Sequence, residues 1–156
     1  MALDLAVDDD VVPAVAVGVA RTLRTQVARM VRAAARTDGR ADYEVALRLT
    51  GDAAIHALNR SYRAKNKPTD VLAFAQREGP AALVHPDLLG DIVISVETAR
   101  RQAKRGLPKE LLHLASHGLC HLLGYDHRDD AEELVMNTRA AALRAEAVRT
   151  GRTRPA

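Results

Sequence analysis

Several residue types are scarce in this 156-residue sequence. It has no tryptophan, one phenylalanine and three tyrosines, so aliphatic residues and alanine must fill its core. Cys120 is its single cysteine, which excludes an internal disulfide bond and suits a reducing compartment. No apolar run approaches the ~20 residues that a membrane-spanning helix needs. We therefore predict a soluble, cytoplasmic protein with an aliphatic core.

The apolar run near the N terminus is not expected to be a secretion signal. It extends from Val11 to Ala20, but Asp8, Asp9 and Asp10 precede it, where a signal peptide carries positive charge. The formal net charge of the whole chain is +3, and its pI is near 9.3. This balance permits a polyanionic partner such as a nucleic acid without requiring one.

Hydrophobic periodicity predicts alternating strands and helices. Strands are expected at residues 3–7, 43–49, 71–74 and 92–94. Helices are expected at residues 10–36, 52–62, 96–105, 108–123 and 130–148. Residues 77–89 contain glycine and two prolines and are expected to be irregular. The sequence has no repeat or linker, so residues 1–149 are predicted to form one α/β or α+β domain, followed by a frayed tail at 150–156.

The first long helix is predicted to be amphipathic, with Asp10 as its cap and Pro13 in its first turn. Its apolar stripe comprises Val17, Leu23, Val27, Met30 and Val31. The opposite side carries Arg21, Arg24, Arg29, Arg32 and Arg36. A solvated helix face is the favoured interpretation of these arginines, and a binding patch is the alternative.

The most informative segment runs from His113 to His127. His117 and His121 are four residues apart on a predicted helix, which puts both imidazoles on one face. Gly124 permits a sharp reversal, so that His127 can return to the same point. Three nitrogen ligands leave a fourth tetrahedral position open, as in catalytic zinc sites. The spacing thus predicts a site for Zn²⁺, or for another divalent metal, formed by the last three histidines.

One departure from the zincin pattern bears on the chemistry. The spacing of the histidines and Gly124 matches H-E-x-x-H-x-x-G-x-x-H, but Gly118 stands where the proteases carry their glutamate general base. Without that carboxylate, the usual route to peptide cleavage is missing. Three neutral histidines also leave the charge of the metal undiminished, which favours an anionic ligand such as a phosphodiester.

Three neighbouring residues have two interpretations each. His113 is too far along the helix to join the same site, so a structural role is favoured over a contact with a ligand or substrate. Cys120 fits a small buried residue better than a metal ligand. Asp126 could orient a histidine or act as a base, or it could be a turn carboxylate, and the two are evenly balanced. Two other histidines lack such spacing and are predicted to be structural or surface residues, His56 and His85.

A basic segment precedes the third predicted strand. Within residues 59–71 it carries Arg60, Arg63, Lys65 and Lys67. Beside a metal site, such a loop would bind phosphate and stabilise developing charge. An ordinary solvated loop is the alternative, since the sequence alone does not place this segment near the histidines.

These segments together resemble the YbeY endoribonucleases, a family of ribosomal RNA maturation factors. The run 117–127 is similar to the histidine signature of the family. Residues 62–72 resemble its central loop and strand, and residues 90–94 resemble its next strand. Ala73 and Ala75 depart from the serine and proline that are frequent there, which affects only details of that strand.

The resemblance implies a single α+β domain with a small mixed β-sheet packed by helices and a zincin-like metal-binding helix. It implies a zinc-dependent endoribonuclease, specific for single-stranded RNA, that matures the ends of small-subunit ribosomal RNA and acts in ribosome quality control. By motif position, His117, His121 and His127 are the zinc ligands and Arg63 contacts an RNA phosphate. The expected partners are precursor ribosomal RNA and the small ribosomal subunit or its proteins, with no DNA and no membrane.

Two other functions stay open at this point. A non-catalytic ribosome-assembly factor would use zinc as a structural clamp and would need a fourth ligand, such as Cys120 or Asp126. A zincin-type peptidase is less favoured, because Gly118 replaces the required glutamate. For the nuclease, the attacking group is either water or the 2′-hydroxyl of the RNA.

Overall fold

The computed structural model describes residues 3–76 and 86–149. Its strands are β1 (Leu3–Val7), β2 (Glu44–Thr50), β3 (Val71–Ala75) and β4 (Leu88–Ser95). Its α-helices are α1 (Val17–Thr37), α2 (Asp52–Arg63), α3 (Val96–Gln102), α4 (Leu107–Leu122) and α5 (Asp130–Ala147), and a 3₁₀ helix spans Asp9–Ala14. The predictions for the tail 150–156, for His85 and for most of the irregular segment lie outside the described residues.

The four strands form one mixed sheet in the order β1-β2-β4-β3. Strands β1, β2 and β4 run parallel, and β3 pairs antiparallel with β4. One row across the sheet joins Leu5, Leu47, Ile92 and Ala73. Because crossover helices connect the parallel strands and β3 lies antiparallel at one edge, the expected α+β arrangement with a small mixed sheet is confirmed.

Helix α4 lies at the centre of the packing. It contacts α1, α5, β3 and β4, and its Leu111, Ala115 and Leu119 are completely buried. Helix α2 instead packs through Ile55 against a second small cluster with Leu72 and Val93. The sheet is therefore covered by helices on both faces, as a sheet with parallel strands requires. Among the described residues, no helix is long and apolar enough to cross a membrane.

The N-terminal helix begins later than the sequence predicts. Asp9–Ala14 is a separate 3₁₀ helix that contains Pro13, and the extended backbone of Val15 separates it from α1. Val17 is 73% exposed and so does not belong to the buried stripe, whereas the other four stripe residues are buried. Two of the five arginines contact α5 instead of solvent alone: Arg29 donates a hydrogen bond to the carbonyl of Ala147, and Arg36 pairs with Glu146.

Two other predicted boundaries are corrected. Helix α3 ends at Gln102 instead of residue 105, because Ala103 has an extended backbone. Strand β4 begins at Leu88, within the segment that was expected to be irregular. Gly90 makes this extension possible: its φ is +139°, and a Cβ there would lie 2.1 Å from the carbonyl oxygen of Phe74. Only glycine fits so close to the neighbouring strand.

Candidate metal centre

The C-terminal end of α4 forms the predicted chain reversal. Gly124 has a φ of +100°, its N–H donates to the carbonyl of His121 at 3.1 Å, and the N–H of Tyr125 donates to the carbonyl of Cys120 at 3.0 Å. These two bonds are those of a Schellman motif, which closes a helix and turns the chain back. The expected role of Gly124 is confirmed, and the turn brings His127 back toward the helix.

The three predicted ligands line one cavity of about 450 Å³. Within it, the rings of His121 and His127 meet edge to face, with centroids 5.3 Å apart. As the side chains stand, no group of three or more His, Cys, Asp or Glu residues in the described part of the chain is arranged to hold a metal ion. The structure therefore brings His117, His121 and His127 to one cavity, and their role as metal ligands stays a prediction.

The electrostatics of the cavity keep two of its histidines neutral. Burial lowers the pKa of His117 to about 4, with smaller contributions from the nearby His113, Arg144 and His121. Burial also lowers the pKa of His121, and the neighbouring His127 adds to the shift. A neutral imidazole has a free nitrogen lone pair, which is the form that binds metals. The donor set thus suits a divalent transition metal.

Gly118 lets the histidine-bearing helix lie directly on the sheet. A Cβ at this position would lie 2.7 Å from Cγ2 of Ile92 on β4 and 3.2 Å from its Cγ1. A side chain has no room there unless helix and strand move apart. The position that carries the catalytic glutamate in zincin proteases is thus occupied here by a packing glycine.

The basic segment lies beside the histidines. Arg63, Lys65 and Lys67 line a second cavity, of about 670 Å³, which shares His121 and His127 with the first. The sequence alone does not place the basic segment near the histidines, and the structure shows that it lies there. It also joins the two sequence motifs, which are some fifty residues apart, into one cleft.

Arg63 is held at the cleft by strand β3. One terminal nitrogen of its guanidinium donates a hydrogen bond of 2.6 Å to the carbonyl of Ala73. The guanidinium also lies over the ring of Phe74, 5.7 Å from the centroid, and Tyr62 packs against the edge of that ring. A cation over an aromatic face is favourable. These contacts orient the guanidinium and leave most of its five N–H donors for a ligand.

Asp126 has the contacts of a turn carboxylate. Its Oδ1 accepts a hydrogen bond of 2.8 Å from the backbone N–H of His127, and its Oδ2 lies 3.7 Å from Nε of Arg128. It also lines the second cavity. These contacts favour the turn interpretation, and its catalytic role stays a prediction.

Cys120 and His113 differ in their surroundings. Cys120 is buried, its thiol donates weakly to the carbonyl of Met136 at 3.9 Å, and burial raises its pKa to about 11. It lines neither cavity, so the buried interpretation is confirmed. His113 is exposed, and its ring lies 4.5 Å from that of His117 on the wall of the first cavity. This position favours the alternative interpretation, a contact with a ligand or substrate, and the role of His113 stays a prediction.

Some wall residues of the first cavity give no signal in the sequence. Besides the histidines, its polar wall consists of Thr69, Asp70, Gln102, Glu110, Glu133 and Asn137. The amide of Gln102 donates to Asp70 at 3.0 Å and to Glu110 at 2.8 Å, so it links the residue before strand β3 to helix α4. Glu110 lies on the same helix as the histidines, three residues before His113, whereas the other five come from other segments and have no periodic relation to the histidines. His56, in contrast, hydrogen-bonds Asn66 at 2.8 Å away from both cavities, as a surface histidine would.

The fold and the site define an α+β domain with a histidine-lined cleft and a basic rim. The sequence model of one family, described as Endoribonuclease YbeY, matches residues 15–147. A protein named Endoribonuclease YbeY from Desulfitobacterium hafniense is 42% identical over 152 residues, which cover 92% of this chain and 95% of the relative. The chain belongs to the YbeY endoribonuclease family.

Other relatives match over shorter segments. A protein of the same name from Picosynechococcus sp. is 52% identical over 108 residues, or 65% of this chain. The match covers 66% of that relative, and 58% and 55% of two further cyanobacterial relatives. Among solved structures, the solution structure of TM1509 from Thermotoga maritima superposes with a TM-score of 0.58 at 22% identity, covering 93% of this chain and 88% of the other. That similarity supports the α+β fold.

Proposed function

We propose that this chain is a metal-dependent endoribonuclease that cleaves single-stranded RNA in the maturation of ribosomal RNA. The observation that carries the proposal is the shared cleft: three histidines line one cavity, and Arg63 lines the next, with His121 and His127 common to both. The basic rim formed by Arg63, Lys65 and Lys67 suits a phosphodiester, and curated relatives bear the name Endoribonuclease YbeY.

His117, His121 and His127 are the residues that would hold the metal, as zinc or another divalent ion. Support comes from their common cavity and from the lowered pKa values of His117 and His121, which leave nitrogen lone pairs available at neutral pH. When bound, the ion would supply Lewis acidity and positive charge for water activation or phosphate polarisation. The donor set suits that role, because three neutral ligands leave the charge of the ion uncompensated.

Arg63 has the role of a phosphate ligand in this proposal. Its hydrogen bond to Ala73 and its position over Phe74 fix the guanidinium before RNA arrives. A hydrogen-bond donor that is already oriented stabilises the transition state more than a mobile one, because the side chain does not have to be ordered as charge develops on the phosphate. Lys65 and Lys67 line the same cavity and add positive charge along the path of the strand.

Two alternatives have less support. A peptidase would need a base where Gly118 packs on Ile92. A purely structural zinc clamp would need a fourth ligand, but the thiol of Cys120 is buried elsewhere, and Asp126 is engaged by the backbone of His127 and by Arg128. We further propose that the chain works in the cytoplasm with precursor ribosomal RNA and the small ribosomal subunit, as its family membership suggests.

The test is cleavage of a single-stranded RNA by the purified chain, with and without a chelator, beside the His121→Ala variant. His56→Ala is the matched control, because His56 lies outside both cavities. We expect chelation and His121→Ala to abolish cleavage, bound metal to fall in that variant, and the control to retain both. Cleavage that persists after chelation and in His121→Ala would contradict the proposal.

The products of the same reaction identify the attacking group. Attack by the 2′-hydroxyl leaves a 2′,3′-cyclic phosphate and a 5′-hydroxyl, whereas attack by water leaves no cyclic phosphate. End-group analysis of the fragments therefore separates the two routes. A substrate with 2′-O-methyl groups gives an independent answer once its binding has been measured: cleavage of it excludes attack by the 2′-hydroxyl, and resistance despite normal binding supports that attack.

A further inference from the structure

A third cavity, which we call the basic cavity, lies between the connection from α3 to α4 and helix α5. Its volume is about 580 Å³. Four cationic side chains line it, namely Lys104, Arg105, Lys109 and Arg144. One carboxylate, Glu110, also lines it, and that carboxylate accepts a hydrogen bond from Gln102. The basic cavity therefore has an excess of positive charge.

The four cations of the basic cavity form no ion pair in the described residues, although Glu110 lies in the same wall. Elsewhere the same structure pairs Arg40 with Asp87, Arg48 with Asp8 and Arg101 with Asp52. Clustered like charges repel one another and reduce the stability of the fold. A bound anion would remove that repulsion, so the cluster of four cations around one cavity suits an anionic ligand.

Arg144 is the anchored member of the group. It is partly buried, and Nη1 of its guanidinium donates a hydrogen bond of 2.8 Å to the hydroxyl of Ser116. That hydroxyl donates in turn to the carbonyl of His113 at 2.7 Å, so Arg144 is tied to the helix that carries the candidate metal ligands. A guanidinium has five donors in a planar fork that matches phosphate oxygens. The one bond to Ser116 leaves most of them free.

The basic cavity adjoins the histidine cavity. Gln102, Glu110 and His113 line both, so the two spaces meet along one side of α4. Lys109 and His121 are twelve residues apart on that helix, which corresponds to ~18 Å of rise. An extended polyanion can therefore lie across both cavities, with one phosphate near the histidines and another near the cations.

We propose that the basic cavity binds backbone phosphates of the RNA strand at a distance from the scissile bond. The inference rests on the proposed function, since the strand that reaches the cavity is the substrate. The subsite would select RNA long enough to extend along α4 from the histidine cavity to Arg144. Contact with phosphates carries no sequence information, so it would increase affinity without selecting bases.

The test is the salt dependence of RNA binding. A triple variant, Lys104→Gln, Arg105→Gln and Lys109→Gln, removes three exposed cations and keeps Arg144. The matched control removes the same charge from the exposed side of α1, through Arg21→Gln, Arg24→Gln and Arg32→Gln. The dissociation constant of a 2′-O-methyl oligouridine is measured across a salt series with the metal-loaded chain, and the oligonucleotide is checked for integrity afterwards.

Each lost phosphate contact lowers the slope of log K against log salt by roughly 0.7 for a single strand. We therefore expect the slope of the triple variant to fall by about 2 if each of its three cations contacts one phosphate, and the slope of the control to stay at the wild-type value. Equal slopes in the triple variant and the wild type would overturn the inference. If the wild-type chain binds and cleaves RNA and the triple variant binds RNA normally, the subsite is wrong and the proposed function stands. If the wild-type chain neither binds nor cleaves RNA, the proposed function is wrong as well.

A second ligand separates RNA from protein as the occupant. Binding of a polyglutamate peptide is measured for the wild type and the triple variant beside the RNA series. Loss of peptide binding with an unchanged RNA slope would assign the basic cavity to an acidic protein segment and overturn the inference. Arg144→Lys keeps the charge but loses the planar fork, so we expect it to weaken RNA binding with little change in the salt slope.

Discussion

The cations at the ends of β1 and β2 differ from those at the rim of the histidine cleft in whether a carboxylate pairs with them. Beyond the end of β1, Asp8 accepts three hydrogen bonds from Arg48, at 2.8–3.1 Å, and a fourth from the hydroxyl of Thr50. At the cleft, Arg63 contacts a backbone carbonyl and an aromatic ring. Within the described residues, neither it nor the two lysines of the same rim, Lys65 and Lys67, has a carboxylate partner.

This difference separates structural charge from charge that is kept available. A paired arginine has its donors occupied and its field cancelled, so it contributes to folding and has little left for a ligand. An unpaired arginine that is held by a backbone carbonyl keeps its positive electrostatic field. Repulsion from neighbouring cations then lowers the stability of the fold. The burial of the apolar core of α1, α4 and the sheet offsets that cost. The comparison predicts that variants in the two regions will affect different measurements.

The largest effect is expected at Arg63. Replacement by Ala should lower kcat/KM for RNA cleavage by about 10²–10³, because one fixed donor to developing phosphate charge is lost. The free energy of unfolding should change little, since the side chain is exposed. Steady-state cleavage and thermal unfolding measured on the same preparation would show whether activity and stability separate in this way.

Arg60→Ala is the matched control for that variant. Arg60 is exposed on the same helix and lines neither cavity of the cleft. It should retain activity. If both variants lost activity equally, general electrostatic attraction of RNA would explain the effect, and the special role of Arg63 would be lost. Arg63→Lys adds detail: a partial loss would show that the planar fork matters beyond the charge.

The next largest effect is expected at Gly118, where the histidine-bearing helix packs on the sheet. The histidines lie on the cavity side of α4, and Gly118 packs against Ile92 on β4. Gly118→Ala places a Cβ 2.7 Å from Cγ2 of Ile92, so the Ile92 side chain, or the helix and the strand, must shift. We expect a loss of about 1–3 kcal/mol in the free energy of unfolding, which is the usual range for overpacking. Chemical denaturation would measure it.

Two further variants isolate the cause of that loss. Gly18→Ala lies in α1 with no atom within 4 Å of the new Cβ, so it should be neutral or stabilising by about 0.5–1 kcal/mol, as is usual for Gly→Ala in a helix. Gly118→Ala made in an Ile92→Ala background should cost less than in the wild type, because the clashing atoms are gone. Additive costs in that double-mutant cycle would mean that the contact is not the source.

Local chemistry explains which parts of the site could be predicted. The i, i+4 spacing of His117 and His121 and the glycine turn before His127 depend on neighbouring residues, and the sequence shows them directly. The placement of Arg63 beside them depends on the pairing of β3 with β4, which the sequence does not contain. Arg144 was missed for the same reason: it reaches Ser116 from a different helix, 28 residues away.

The errors in the predicted elements also have physical causes. The glycine and two prolines of residues 77–89 favour an irregular segment, but pairing on both sides of β4 makes its end, from Leu88 onward, a strand. Asp10 and Pro13 predict a helix start, and they do lie in a helical turn, but it is a 3₁₀ helix that ends at Ala14 and has Asp8, not Asp10, at its N-cap position. In that case the neighbouring residues predict that a helical turn forms there, but they do not predict where it ends.

The smallest effect is expected in the paired region, from Asp8→Asn. It should lower the free energy of unfolding by about 1 kcal/mol at pH 7 and leave RNA cleavage unchanged, because a partly exposed ion pair contributes little. The hydrogen bonds from Arg48 lower the pKa of Asp8 below its usual 3.8. Its stabilisation is therefore present above the unfolded-state pKa and is lost as pH falls through the lower folded-state value.

Denaturation curves at pH 7 and at successively lower pH values would test this last prediction. The difference between wild type and Asp8→Asn should shrink only below about pH 4, the unfolded-state value. Asp4→Asn is the control, since Asp4 is an exposed carboxylate on β1 without an ion pair in the described residues. A difference that stayed constant down to the acid limit would mean that the carboxylate charge is not what Arg48 stabilises. If Asp8→Asn lost RNA cleavage, the distinction between paired charges that stabilise the fold and unpaired charges that bind the substrate would be contradicted.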